Sequence, residues 1–308
     1  MASATITGVL DVIGLGAHAV DQVYRLPAAP DFHGLHSKLR VSRHTVSCGG
    51  QVATALSTCA AFGLHAAYLG PLGTDDNAAR VRAELDGHGV DLSHALVRPG
   101  GSQYAVILID DHSGERVVLW DRPASLTLSA ADLPALTADT ARAVLVDDVD
   151  AAASAELARR AATAGIPVVT DLDHLTPHTE AIIRAASHPI LSEHLPMALT
   201  RESTLEQALR ALRAWTPGII TVTLGKGGAL ALVGDTLVHE PGIEVQPVDT
   251  TGSGDVFRGA FLAGLLQGFD IRRTLRLANR VAGASCTRPG AMGGVPTRDE
   301  ARRWLAEA

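Results

Sequence analysis

Aromatic side chains are scarce in this chain: Phe, Trp and Tyr together make up 4% of its 308 residues. Hydrophobic content is nevertheless 46%, so the core has to be built mainly from Ala, Val, Leu and Ile. Cysteine is scarce as well. Cys48, Cys59 and Cys286 show no Cys-x-x-Cys spacing, which argues against a disulfide scaffold and suits reduced thiols in a cytoplasmic protein. Positive charge is in deficit, with 26 Lys and Arg against 33 Asp and Glu and a net charge of −7. Nucleic acid and anionic membrane are therefore poor partners for the surface as a whole, although a local basic pocket remains open. No run reaches the ~18 apolar residues that crossing a bilayer requires. The start of the chain lacks a basic stretch followed by an apolar one, so no signal peptide is expected. The 13 histidines are scattered and form no His-x-x-x-His pair on a convincing helix, so no dedicated transition-metal site is expected. No Gly-x-Gly-x-x-Gly follows the first strand-like segment, which disfavours a nucleotide-dependent oxidoreductase.

What is present is an alternation of strand-like and helix-like segments, the pattern of an α/β fold with a largely parallel sheet. Strands are expected at 11–15, 66–69, 143–146, 168–170 and 219–224. Helices are expected at 51–62, 75–88, 151–164, 256–269, 271–287 and 297–307, several of them closed by glycine. Two regions break the alternation. Residues 103–109 and 115–120 read as a hairpin across Asp110–Gly114, and the segment from Tyr24 to Val46 is rich in Pro, His and Gly with no helical period. No linker of low complexity and no internal repeat divides the chain.

The stretch Asp249-Thr250-Thr251-Gly252-Ser253-Gly254-Asp255 directly precedes an apolar, helix-patterned run. Glycines at a helix mouth leave backbone N–H groups free, and the helix dipole adds partial positive charge there, so the place suits a phosphate. Asp255 beside such an anion hole makes sense as a base that takes a proton from a hydroxyl while the hole holds the group in transfer. The plain alternative is an ordinary N-cap formed by Ser253 or Asp255.

These residues resemble the signature of the ribokinase-type carbohydrate kinases, the phosphofructokinase-B family, usually Asp-Thr-x-Gly-Ala/Ser-Gly-Asp. The resemblance runs over nearly the whole chain. It implies a ribokinase-like α/β fold over 1–308: a mostly parallel central sheet flanked by helices, with a small β-sheet lid formed discontinuously by about 22–46 and 100–122. It makes Asp255 the catalytic base and gives the anion hole to Gly252, Ser253 and Gly254. It places Asp21, after the first strand, on two sugar hydroxyls, a task that suits a carboxylate accepting two hydrogen bonds. Gly49-Gly50 would let the sugar approach the backbone. The family's Gly-Gly-x-x-x-Asn departs here, because Thr54 stands at the Asn position. Thr223-Leu224-Gly225-Lys226-Gly227-Gly228 resembles the family's nucleotide loop, so that Thr223, Gly225 and Gly228 would line ATP, with Asn279 at the adenine edge.

Gly70-Pro71-Leu72-Gly73-Thr74-Asp75-Asp76 is a structural turn in which Thr74 or Asp75 caps the next helix. The family's Asn-x-x-Glu, which organises Mg²⁺ through water, is reduced to Glu193 within Leu191-Ser192-Glu193-His194. Asp249 and Thr251, with the loop Arg288–Ala291, match the loops that hold a monovalent cation in several relatives, so K⁺ is expected beside ATP and Mg²⁺.

The resemblance implies an ATP-dependent sugar kinase acting on a hydroxyl, most readily a primary one. The most similar-looking subgroup is that of ketose kinases such as sulfofructose kinase and ketohexokinase. Lys38 and Arg122 are the lid cations placed to meet an anionic substituent. Trp120 and Val149 stand where other contacts of a sulfonate pocket would be, so a neutral ketose is preferred over an anionic sugar. A homodimer through the lid is also implied. A nucleoside kinase of the same fold and a non-catalytic sugar-binding sensor remain the alternatives.

Overall fold

The computed structural model describes residues 9–31, 33–34, 37–113 and 115–308. Its centre is an extended sheet. Parallel strands run in the order β10 (Val168–Asp171), β9 (Ala141–Asp147), β1 (Leu10–Leu15) and β4 (Ala66–Tyr68). A second set follows, with β11 (Ile190–Ser192), β12 (Ile220–Thr223), β13 (Ala229–Val233) and β14 (Thr236–Glu240). Parallel bridges between Val169 and His188 and between Leu172 and Leu191 join the sets, and β13 and β14 close the edge as an antiparallel hairpin. The inner strands are apolar on both faces, as in Val144-Leu145-Val146, which is what helices on both faces require. A short pair, β5 (Pro71–Leu72) and β6 (Leu96–Val97), lies beyond β4.

Helices α1 (Gln51–Ala61) and α2 (Asp76–His88) follow the first strands, and α3 (Ala151–Thr163), α4 (Thr179–Ala185), α5 (Leu195–Thr200) and α6 (Leu205–Leu212) accompany the middle of the sheet. The chain ends in α7 (Ser253–Leu266), α8 (Ile271–Ser285) and α9 (Arg298–Glu307). Asp75 caps α2, its Oδ1 accepting from the Ala78 N–H at 2.9 Å, as expected from the turn before it. Helix α1 is buried along nearly all its length, and α7 packs across it. Small residues permit the close crossing. A Cβ at Gly259 would stand 2.4 Å from the Ala55 carbonyl oxygen, a contact that backbone cannot relieve.

The lid is a separate four-stranded sheet in the order β3 (Arg43–Gly49), β2 (Ala19–Leu26), β7 (Tyr104–Asp110) and β8 (Arg116–Asp121). Strands β2 and β7 pair in parallel, with Val20 opposite Tyr104, so two distant excursions are stitched into one sheet. The first excursion starts nearer the core than the expected 22–46, because β2 begins at Ala19 and β3 runs to Gly49. Every residue of β8 is exposed.

Candidate active site

The mouth of α7 is built by its glycines. Gly252 is the N-cap with φ +76°, a left-handed conformation that suits glycine, and no side chain caps the helix. A Cβ at Gly252 would also lie 2.5 Å from that of Ala291. An ordinary Ser253 or Asp255 N-cap is therefore not what forms. The Ser253 N–H turns back to the Thr250 carbonyl at 3.3 Å, which takes it out of the expected set of three hole amides. The amides of Gly252 and Gly254 have no hydrogen-bond acceptor among the described residues.

Asp255 sits in the first turn of α7. Burial holds its carboxyl above the usual carboxylate range. The Arg258 guanidinium opposes that shift, and the negative charges of Asp173 and Asp21 add to it. Asp21, on β2, faces the same region. A Cβ on Gly49 would lie 3.2 Å from its Oδ2. Burial first, and the Asp249 charge second, raise its pKa to about 6. Gly50 caps α1 with φ +104°, and a Cβ there would strike the His18 Cα at 2.4 Å. The glycine pair thus brings β3 and the start of α1 against the turn between β1 and β2, next to Asp21. Thr54 lies one turn into α1, fully buried, and its hydroxyl has no hydrogen-bond partner among the described residues.

Asp249 ties two loops together, Oδ1 accepting from the Thr251 N–H and Oδ2 from the Gly290 N–H, each at 2.9 Å. These bonds keep its carboxyl below the usual range although burial acts the other way. An ionised carboxylate with spare lone pairs, beside a loop meant for phosphate, suits a cation. At the other end, Thr223 closes β12 and Gly225 opens the following turn with φ +55° and open space on its Cβ side. Gly228 serves packing instead, since a Cβ there would meet the Glu240 carbonyl oxygen at 2.2 Å.

Two expected binders are engaged within the protein, and two stand in solvent. The Arg122 guanidinium pairs with Asp150 at 2.5 Å and also donates to the Leu126 carbonyl, and both charges are well shielded from solvent. The guanidinium expected to meet a substrate is thus engaged by Asp150 in the structure. The Asn279 amide donates to the carbonyls of Glu240 (2.8 Å) and Pro241 (3.1 Å), so it anchors the segment after β14 instead of presenting its Nδ2 to an adenine. Lys38 is exposed and pairs with no carboxylate among the described residues. Glu193 is exposed on the turn between β11 and α5 and is likewise unpaired among the described residues.

The sequence model described as pfkB family carbohydrate kinase matches residues 18–298. The chain belongs to the PfkB family of carbohydrate kinases. It is 27% identical over 299 residues to an ATP-dependent ribose-1-phosphate kinase of Halopiger xanaduensis, covering 96% of this chain and 98% of that protein. It is 24% identical to a nucleoside kinase of Methanothermobacter thermautotrophicus, with 96% of each chain covered. A ribokinase of Bacillus subtilis is 38% identical over 141 residues, 46% of this chain and 47% of that protein. Arabidopsis thaliana ribokinase, solved with ribose and ATP, superposes with a TM-score of 0.83 at 22% identity, covering 96% of this chain and 99% of that one. The PfkB assignment makes the protein a carbohydrate kinase, a phosphotransferase.

Sequence reasoning missed Asp171 and Arg258 as members of this site. Their side chains pair at 2.9 Å, and both are buried. Asp171 stands at the carboxyl end of β10, where open α/β sheets place their ligands. Arg258 is a lone charge inside the apolar face of α7, three residues after Asp255. Either position was a usable signal.

Proposed function

We propose that this PfkB kinase transfers the γ-phosphate of ATP, taken as its magnesium complex, to a primary hydroxyl of a small neutral sugar, with a ketose preferred. The observation that carries the neutral-substrate reading is the Arg122–Asp150 pair. With Arg122 neutralised and Lys38 out in solvent, the described residues of the lid offer no unpaired buried cation for an anionic substituent. Asp21 receives the diol beside Gly49 and Gly50. Asp255 takes the hydroxyl proton as the oxygen attacks the γ-phosphorus, and the amides of Gly252 and Gly254 stabilise the developing charge. Thr223 and Gly225 face the nucleotide, and Glu193 would be the carboxylate that holds a magnesium ion through water. Asp249 and Thr251 would hold a potassium ion, which supplies positive charge beside the phosphate loop. In phosphoryl transfer, positioning and electrostatics provide most of the acceleration.

A nucleoside acceptor is favoured by one observation. Ser47, Asp21, Ala105 and Trp120 lie in register across the lid, so they share one face. Trp120 is 69% exposed there, a ready platform for a base. The exposed apolar side chains of Val117, Val118, Leu119 and Trp120 on β8 also support a homodimer through the lid. An ADP-release assay decides the substrate. Ketohexoses are expected to turn over fastest, with ribose, ribose 1-phosphate, a sulfonated ketose and inosine slower. Faster turnover of inosine assigns the acceptor to nucleosides, and faster turnover of the sulfonated or phosphorylated sugar overturns the neutral reading.

A further inference from the structure

Beneath the anion hole lies a charge arrangement that the reaction above does not use. Arg258 is 4% exposed and Asp171 is 1% exposed. The Arg258 Nη2 donates to the Asp171 Oδ1 at 2.9 Å, and the Gln51 Nε2 donates to the same oxygen at 3.3 Å. The Asp171 Oδ2 and the Arg258 Nε have no partner among the described residues. Nη1 rests against the hole itself, 2.6 Å from where a Cβ on Gly254 would be. Spacings of three and four residues put Arg258 on the same face of α7 as Asp255 and Gly254. A buried ion pair is a poor stability device, because desolvation offsets most of the attraction. Its placement calls for another role.

The charges around it indicate that role. Asp21 faces Asp255 from the lid strand β2, Asp171 and Asp173 from the end of β10, and Asp148, at the end of β9, adds its charge to that of Asp171. Gln51 is the polar contribution of α1. His174 stands 3.7 Å from Asp148 and 4.0 Å from Asp173 but carries charge only when protonated, which leaves Arg258 as the permanent cation among these groups. A carboxylate packed among carboxylates holds on to its proton unless a positive charge is kept close.

We propose that Arg258, held in place by Asp171, is a positioning residue that keeps Asp255 ionised for proton abstraction. Burial raises the proton affinities of both Asp255 and Asp171, and Arg258 lowers both, in accord with this assignment. The catalytic part of the proposal rests on Asp255 being the base, and the test separates the two.

The carboxyl carbons of ¹³C-Asp-labelled protein are titrated by NMR without substrate, Asp255→Asn serving to identify the Asp255 signal. The pH–rate profile is measured alongside. In Arg258→Met, the Asp255 midpoint and the acid limb of kcat should both move up by about one pH unit or more, a tenfold gain in proton affinity. In Asp171→Asn they should move down, because a negative neighbour is removed and the guanidinium is released toward Asp255. Arg258→Lys should return the midpoint toward wild type. A purely structural pair would lower activity without these opposite shifts. Unmoved midpoints in both variants overturn the proposal, as does an upward shift in Asp171→Asn. Should Arg258→Met fail to fold, the Asp171→Asn shift carries the test alone. Turnover that survives Asp255→Asn removes the base assignment, while the substrate-free midpoints still decide what Arg258 does to Asp255.

Discussion

The mouth of α7 and the lid strand β8 are built on opposite terms. At the mouth, each glycine has a neighbour too close for a side chain. Gly252 lies against Ala291, Gly259 lies against Ala55, and Gly254 lies against the Arg258 guanidinium. On β8, every side chain from Arg116 to Asp121 is open to solvent. The mouth has almost no freedom to vary, and β8 has almost nothing but freedom. On the proposed function, the difference shows where each task would sit. Transfer of phosphate needs fixed donors, and choice of acceptor needs a surface that can change without unfolding the core.

The sharpest way to break this division is Asp255→Asn. Shape is kept and proton acceptance is lost, so kcat should fall by roughly 10²–10⁴ while ATP affinity stays. In the wild type, burial keeps Asp255 protonated to higher pH than an ordinary carboxylate. The rate should therefore climb as pH rises through a value above the usual ~3.9. A variant within about threefold of wild type, far below the range of general-base effects, removes the base.

Two glycine substitutions on the same helix should part company. Gly254→Val meets a side chain, the Arg258 guanidinium that Asp171 holds in a buried pair, so turnover should vanish with a smaller loss of stability than a collision with backbone brings. Gly259→Val drives a side chain into the α1 backbone and should cost about 1–3 kcal/mol of stability, as overpacking does. Parallel collapse of both in thermal melts means that Gly254 is structural too.

Potassium is the next largest effect expected at the mouth. Initial rates should be severalfold higher in potassium than in sodium or choline buffers at equal ionic strength. Equal rates remove the cation from the Asp249–Gly290 junction.

On the lid, changes should act on KM and leave the melting temperature alone. Trp120→Ala should raise KM about tenfold for an acceptor that stacks on it, about 1.4 kcal/mol of binding. Lys38→Ala should be the mildest, with no measurable change for neutral sugars. A rise of about tenfold for an anionic sugar alone, again about 1.4 kcal/mol, overturns the preference for a neutral one.

The sequence makes the strongly periodic parts of this fold plain. Residues 51–62, 75–88 and 151–164 read as helices and form α1, α2 and α3 within a residue or two of those limits. The strands β11, β13 and β14 and the helices α4 to α6 were not foreseen, because three- to eight-residue elements carry too little period to register. At the site, the glycine signature was legible because φ +76° at Gly252 leaves a residue-type imprint. The engagement of Arg122 by Asp150 was not, since 28 residues separate the partners and only the folded chain brings them together. The Asp171–Arg258 pair was hidden in the same way.

One consequence of the stitched lid concerns time. The parallel pairing of Val20 with Tyr104 closes a long loop that holds β1's partner strand β4 and two helices. That closure gains little until the core has drawn both ends together. Strands β2 and β7 should therefore lock after the central sheet during refolding. Pulse-labelled amides of Val144 and Leu145 should gain protection before those of Gln22 and Val106, and simultaneous protection would refute this order. Sugar recognition would then be the last property that the chain acquires.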